Sequence, residues 1–429
     1  MIVYDSLYGK FALPTYLSGL VHTPEVRRLS QIRLLNTLTP SLATLGELRR
    51  FSHTLGVLYL CEKNRSPGFS EEERKALAAS VLLHDIGTPP FGHLMEYYLR
   101  ELSDWSHEGV IRAMLAGTHV PENRAHQIFA HRQIGFPKAL RKAGVSEELV
   151  KAIITGSHPL SLLLFGTLDL DNLDNVARMT RALGFGGGSE LAIKLASALK
   201  VSRDARLWLN EASERSTVEA WAKLRERAYD IIVFDPPTVA AQAVLSQAIE
   251  IALGEGIITK DDWTLSDEQL LETLMRHQHT KGLIILEYLG KLPEIALCLQ
   301  VRGTLQDLGL AGRAQAKILV EQILHEEFDA RRVRGYVFVD SGTFAKRLEF
   351  LDPETGEAWE IGQKSRSIVF YGFIHSPERL AASKCERAMQ LLTSKLKVGP
   401  DKIMRCQIGN VLEAIDEYQR SLNLASSQY

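Results

Sequence analysis

The chain has 429 residues, 45% of them hydrophobic, and a formal net charge of −2. That length supports a large core spread over one, two or three domains. The balanced charge, without long like-sign blocks, gives no electrostatic case for nucleic acid or an anionic membrane surface.

Cys61, Cys298, Cys385 and Cys406 form no CxxC pair, which fits reduced thiols. No apolar run reaches membrane-spanning length, and the opening MIVYDSLYGKF has neither a basic leader nor an apolar signal core. The expectation is a cytoplasmic protein that does not enter a membrane.

In chain order, helical periodicity is read at TPEVRRLSQIRLL and again from Ser70 to His84. In the second segment Ser70 and Glu73 make a capping box, Leu77, Val81 and Leu82 form an apolar stripe, and Gly87, Pro89 and Pro90 end the helix. Asp85 then falls at the helix end, where the negative pole of the backbone dipole opposes a carboxylate unless a cation stands nearby.

Further helices are read at SEELVKAII, LDNVARMTRALG, STVEAWAKLRERAYDIIV and from Pro237 to Leu253. GFGGGSE at 184–190 has no preceding strand and no following Lys-Ser/Thr, so it reads as a helix-ending loop rather than a phosphate loop. The β signals come late: RGYVFVD, SRSIVFYGFI, and a bracketed turn in LEFLDPETGEAWEI. The fold class is mainly α, with a small α+β portion after about Gln315.

Of thirteen histidines, six fall between His84 and His131, with His53 just upstream. His53, His84, the adjacent Asp85 and the acidic run DLDNLDN at 169–175 supply imidazoles and carboxylates together. Each alone has a plain explanation, a core histidine or a helix cap. Together they form a mixed nitrogen and oxygen set suited to one divalent ion, with Mn, Fe, Ni or Co favoured over Mg or a closed zinc site.

The ordered segments DSLYG, HTPEVRRLSQIRLL, RRFSHTLGV, HDIGTPPFGH, WSHEG and DLDNLDNVAR, followed by ERAYD and VGPDKIM, resemble the HD superfamily of metal-dependent phosphohydrolases. The likeness is greatest to its deoxynucleoside triphosphate triphosphohydrolase branch and extends over most of the chain. It implies an HD-domain helical bundle, with a catalytic core over 1–253 and a helical and α+β region over 254–429 that serves assembly or regulation.

The resemblance implies metal ligands at His53, His84, Asp85 and Asp171. It implies a catalytic histidine at His93 oriented by Glu96, a second active-site histidine at His107, and a phosphate-contacting arginine at Arg50. A carboxylate fixes the tautomer of a neighbouring imidazole, and an arginine three residues before a ligand histidine shares its helix face.

Other pocket positions depart from the branch. Leu34, Thr88, Asn172, Asn175 and Met179 stand where it carries residues that contact the nucleotide, and Tyr229 is retained. The expected reaction is hydrolysis of a deoxynucleoside triphosphate to nucleoside and triphosphate, with Asn172, Asn175 and Tyr229 in the substrate pocket. The alternatives are hydrolysis of another phosphomonoester or phosphodiester, such as a ribonucleotide, a nucleoside monophosphate or a cyclic or oligomeric nucleotide, and a nucleotide sensor with little turnover. A homo-oligomer is expected from the same resemblance.

Overall fold

Helix N-termini appear where the residue pattern places them. In the computed structural model, which describes residues 1–36, 39–103, 105–116, 135–328, 333–340, 346–362, 366–375 and 380–408, Ser70 accepts from the Glu73 backbone while the Glu73 carboxylate accepts from Ser70 N, and helix Glu71–Leu83 follows. His119, His126 and His131 of the histidine-rich stretch lie outside these residues.

The chain divides into two compact units, each built from separated stretches. The first comprises Met1–Ile231, Leu245–Ile285 and Arg347–Gly362, and the second Ile232–Val244, Leu286–Lys346 and Gln363–Tyr429. No single helix among the described residues is long and apolar enough to cross a membrane.

The first unit is mainly helical. Helices Arg50–Lys63, Glu71–Leu83, Glu147–Ile154, Leu170–Ala182 and Gly188–Ala198 pack on one another. The loop 184–187 between the last two has Gly184 and Gly187 at φ +79°, a conformation open to glycine. It is a helix-to-helix connection, as read.

The periodic TPEVRRLSQIRLL segment yields only a short helix, Pro24–Arg28, and one 3-10 turn at Leu29–Gln31. The chain is then drawn out straight because Arg50 N donates to Ile32 O, Leu34 N to Leu48 O, and Arg33 N to Asp267 Oδ2. Tertiary hydrogen bonds override the helical pattern there.

Two sets of strands in this unit differ from the expectation. Ile2–Asp5 and Gly9–Ala12 pair antiparallel, so DSLYG is the turn of a hairpin. Strands Leu348–Leu351 and Ala358–Ile361 form the hairpin read from LEFLDPETGEAWEI, but they join a sheet with Lys200–Val201 and Leu207–Trp208, Trp208 pairing parallel to Leu351.

The second unit carries an antiparallel four-stranded sheet in the order Ile403–Ile408, Glu294–Arg302, Ser367–Ile374, Val333–Asp340. Helices Arg313–Phe328 and Ala382–Lys395 contribute Val320, Ile323, Leu324, Ala388 and Leu392 to a core with Leu297, Leu299 and Phe370. A second cluster joins Val233, Val239 and Ala243 to Cys298, Tyr371 and Phe373, and Tyr371 donates to Val233 O at 2.5 Å. Both faces of the sheet are therefore covered, and SIVFYGFI is buried along its whole length.

Candidate metal centre and proton relay

His53 sits in the first turn of helix Arg50–Lys63, which Arg50 opens. Its Nε2 lies 2.7 Å from Asp171 Oδ1 and its Nδ1 2.7 Å from Asp174 Oδ2. Asp171 and Asp174 are three residues apart on helix Leu170–Ala182, so one helix face presents both carboxylates to both edges of a single ring. Burial opposes charging of this imidazole, but hydrogen bonds to Asp171 and Asp174 outweigh it and hold its pKa up at about 9.

His84 follows the last residue of helix Glu71–Leu83. Its Nδ1 donates to Val81 O at 2.7 Å, which fixes the tautomer and leaves Nε2 as a bare lone pair. That atom is buried without a hydrogen-bond partner, 3.4 Å from Asp171 Oδ1 and 3.6 Å from Asp85 Oδ2. Enclosure opposes ionisation of Asp171, yet the two imidazoles hold its carboxyl well below the usual range.

Asp85 is held differently. Arg50 donates through one guanidinium nitrogen to both carboxylate oxygens, at 2.8 and 2.9 Å, and Thr88 Oγ1 donates at 3.1 Å. Burial opposes ionisation, but Arg50 and then His84 keep the acid well below its ordinary pKa. The cation that a carboxylate at a helix end requires is therefore Arg50.

Of the four expected ligands, His53, His84 and Asp171 bring ligating atoms within 4.8 Å of one another. Asp85 borders the group, turned toward Arg50. Two donors about 2.1 Å from an octahedral ion stand roughly 3.0 Å apart at adjacent positions. The observed separations of 2.7, 3.4 and 3.6 Å bracket that value. A buried orphan lone pair facing two carboxylates, beside an imidazole that attracts positive charge, fits a divalent cation.

The second constellation surrounds Glu96, which is buried. Its Oε2 lies 2.9 Å from His93 Nδ1, and its Oε1 lies 3.0 Å from His107 Nδ1 and accepts from Arg100 at 2.6 Å. The His93 side chain is 79% exposed, whereas His107 is largely covered. Burial works against the Glu96 anion, but His107 and His93 hold its pKa well down, and in return Glu96 raises that of His107 against burial.

Two glycines bring this group against the metal site. A Cβ on Gly87 would meet His107 O at 2.4 Å, and one on Gly92 would meet the Arg50 guanidinium at 2.8 Å. Asp267 fixes the loop between them, accepting from Phe91 N at 2.8 Å while Phe91 adopts φ +54°.

The expected substrate residues are placed unevenly. Asn172 Nδ2 folds back on Asp169, at 2.9 and 3.0 Å from its two oxygens, as part of the helix cap. Asn175 Oδ1 is buried without a hydrogen-bond partner. The Tyr229 hydroxyl is pushed up by burial and further by Asp171 and Asp169, and Arg225 stacks 4.7 Å from its ring. Leu34 and Met179 are buried in the core.

Asp174 and its supports were not expected. Arg178 donates to Asp174 Oδ2 at 2.7 Å and to Asp5 Oδ2 at 2.9 Å. A Cβ on Gly56 would fall 2.0 Å from Asp174 Oδ1. The signal for the first pair was the i,i+4 spacing of Asp174 and Arg178 on the helix that carries Asp171.

A model of the HD domain matches residues 50–155. The uncharacterized protein YwfO of Bacillus subtilis is 22% identical over 277 residues, 59% of this chain and 60% of that protein. A deoxynucleoside triphosphate triphosphohydrolase SAMHD1 homolog of Dictyostelium discoideum is 27% identical over 109 residues, 24% of this chain and 21% of its own length. The chain thus spans less than two thirds of these curated relatives. A phosphohydrolase structure from Bacteroides thetaiotaomicron superposes with a TM-score of 0.62 at 17% identity, covering 86% of this chain and 99% of the other. A hypothetical protein from Aquifex aeolicus gives the same score and identity over 91% and 99%.

Proposed function

This chain carries an HD domain of the metal-dependent phosphohydrolase superfamily, and from that premise we propose that it cleaves a deoxynucleoside triphosphate to nucleoside and triphosphate. The observation that carries the hydrolase reading is the buried, unpartnered His84 Nε2 facing Asp171 and Asp85 beside His53. The substrate class rests on the ordered segments from DSLYG to DLDNLDNVAR, with the partial similarity to the Dictyostelium triphosphohydrolase in support.

His53, His84, Asp85 and Asp171 would hold the divalent ion. When bound, such an ion supplies Lewis acidity toward a phosphate oxygen and lowers the pKa of coordinated water. Arg50 offsets charge on the phosphoryl group, and its buried Nε, without a hydrogen-bond partner, keeps a donor in reserve. Glu96 holds His93 through Nδ1, which directs Nε2 outward to protonate the leaving sugar oxygen. His107 completes the relay from the other oxygen of Glu96. Tyr229, whose hydroxyl feels the charge of Asp171, and Asn175, whose carbonyl oxygen has no hydrogen-bond partner, would line the substrate pocket, as the family resemblance implies. The region 254–429 is assigned to assembly or regulation in a homo-oligomer, apart from its stretches up to Ile285 and over Arg347–Gly362, which belong to the first unit.

A second reading, hydrolysis of another nucleotide, is favoured by one observation: Asn172 is spent on Asp169 and is not offered to a phosphate chain. Incubation with Mn²⁺ and a panel of dNTPs, NTPs, nucleoside monophosphates and cyclic dinucleotides, followed by chromatography, separates the two. Nucleoside plus intact triphosphate is the expected product pair. Inorganic phosphate or a linear dinucleotide supports the second reading, and binding without products contradicts both.

A further inference from the structure

Outside the phosphohydrolase centre, the first unit assembles a second imidazole and carboxylate group. Glu255 follows helix Pro236–Gly254, His277 joins helix Asp267–Arg276 to helix Gln278–Tyr288, and His279 lies in the first turn of the latter. His279 Nδ1 stands 2.6 Å from Glu255 Oε1 and His277 Nδ1 stands 3.6 Å from Glu255 Oε2. The two rings are edge to face with centroids 5.4 Å apart, so both Nδ1 atoms address one carboxylate.

His277 Nδ1 is buried and has no hydrogen-bond partner, although a carboxylate oxygen lies just beyond hydrogen-bond reach. Leaving such an atom unpaired is unfavourable, and a ligand between the two groups would recover that cost. Donors about 2.0–2.1 Å from a tetrahedral ion stand roughly 3.4 Å apart, close to the 3.6 Å between His277 Nδ1 and Glu255 Oε2, whereas His279 Nδ1 would have to give up its 2.6 Å hydrogen bond to Glu255 Oε1 to join them. The ligating atoms of all three residues lie within 4.8 Å of one another.

We propose that Glu255, His277 and His279 form a second divalent-metal site, of the two-imidazole, one-carboxylate class that selects Zn, Co, Ni or Cu(II) over Mg or Ca. Its role is a structural clip. The ion would join the end of helix Pro236–Gly254 to the end of helix Asp267–Arg276. Asp267, at the other end of the second helix, holds Phe91 N and Arg33 N, so the clip steadies the helix that anchors the HD loop from roughly 15 Å away.

The test is metal content after loading the full chain with Zn²⁺ and passing it through a desalting column. His277→Ala/His279→Ala and Glu255→Gln are each expected to retain one equivalent per chain fewer than wild type. Asp171→Ala, which disables the other centre, is expected to keep this equivalent and to show the intense visible bands of four-coordinate Co²⁺ when loaded with cobalt. All three clip side chains are partly exposed, so the variants should melt with wild type when metal is absent; only the wild-type sequence at these positions should gain melting temperature from Zn²⁺ in the Asp171→Ala background. Equal metal content in wild type and both clip variants would overturn the site, as would cobalt bands that survive His277→Ala/His279→Ala in that background.

Discussion

Asp174 grips the ring edge of His53 opposite Asp171, and it is fully buried with Arg178 and Asp5 behind it. A carboxylate on the far nitrogen of a ligand imidazole fixes its orientation and raises its basicity. Asp174→Asn should therefore weaken divalent-metal affinity by roughly 10- to 100-fold, measured by competition against a chromogenic chelator. Gly56 makes this grip possible, since any Cβ there would collide with the Asp174 carboxylate. Gly56→Ala should destabilise the protein by about 1–3 kcal/mol in urea melts and impair metal binding as well. The gathering of His53, His84 and Asp171, with Asp85 at its border, was legible because the residue types and their order carry the pattern. Asp174, Arg178, Asp5 and Gly56 were not, because their link is through space and their types suit ordinary helix surfaces and turns.

Helix Glu71–Leu83 delivers His84 and Asp85, and its first turn is locked by Glu73. That carboxylate accepts from Ser70 N and pairs with Arg203 and His158. Hydrogen bonding from Arg203 is the largest cause of a pKa lowered from 4.5 to about 2. A depressed acid stabilises the fold above its ordinary pKa and loses that contribution as pH falls through the folded value. Wild type should thus lose stability between about pH 4.5 and pH 2 through this group, while Glu73→Gln should start about 1 kcal/mol lower at neutral pH and show a flatter decline. Paired acid titrations followed by circular dichroism check this.

The loop after the same helix is tied by Arg28, whose buried guanidinium donates to the carbonyls of Thr88, Trp263, Thr264 and Leu265 at 2.6–2.8 Å. Burial, with no carboxylate in hydrogen-bond contact, lowers its pKa to about 9. Arg28→Met leaves four buried carbonyls short of donors and should cost roughly 3 kcal/mol or more in a chemical melt. The capping box was readable from Ser70 and Glu73 alone. Three of the four Arg28 contacts join residues more than 200 positions apart, and periodicity at 23–35 pointed to a longer helix than the tertiary bonds allow.

At the level of the whole molecule, two units interleave along the chain. The mainly α class and the late sheet were visible in the sequence, but strand Glu294–Arg302 was not. Seven consecutive positions in EIALCLQVR are buried, so it lacks the alternation that distinguishes a strand from a core helix. The hairpin from Leu348 to Ile361 was recognised as β yet assigned to the late portion, since nothing local reveals a parallel bridge to Trp208. Close packing in the second unit can be probed separately. A Cβ on Gly335 would lie 2.6 Å from Lys317 O, where helix Arg313–Phe328 meets the sheet. Gly335→Ala should lower the stability of that unit by about 1–3 kcal/mol in hydrogen-exchange measurements, while metal binding in the first unit stays at the wild-type level.

Anomalous diffraction from crystals soaked in Mn²⁺ locates the catalytic ion directly. A peak roughly 2.0–2.3 Å from His53 Nε2, His84 Nε2 and a carboxylate oxygen of Asp171, with Asp85 swung from Arg50 to join them, is the expected result. Saturating Mn²⁺ with no peak between these four side chains, or an intact His53–Asp171 hydrogen bond in its place, would contradict it.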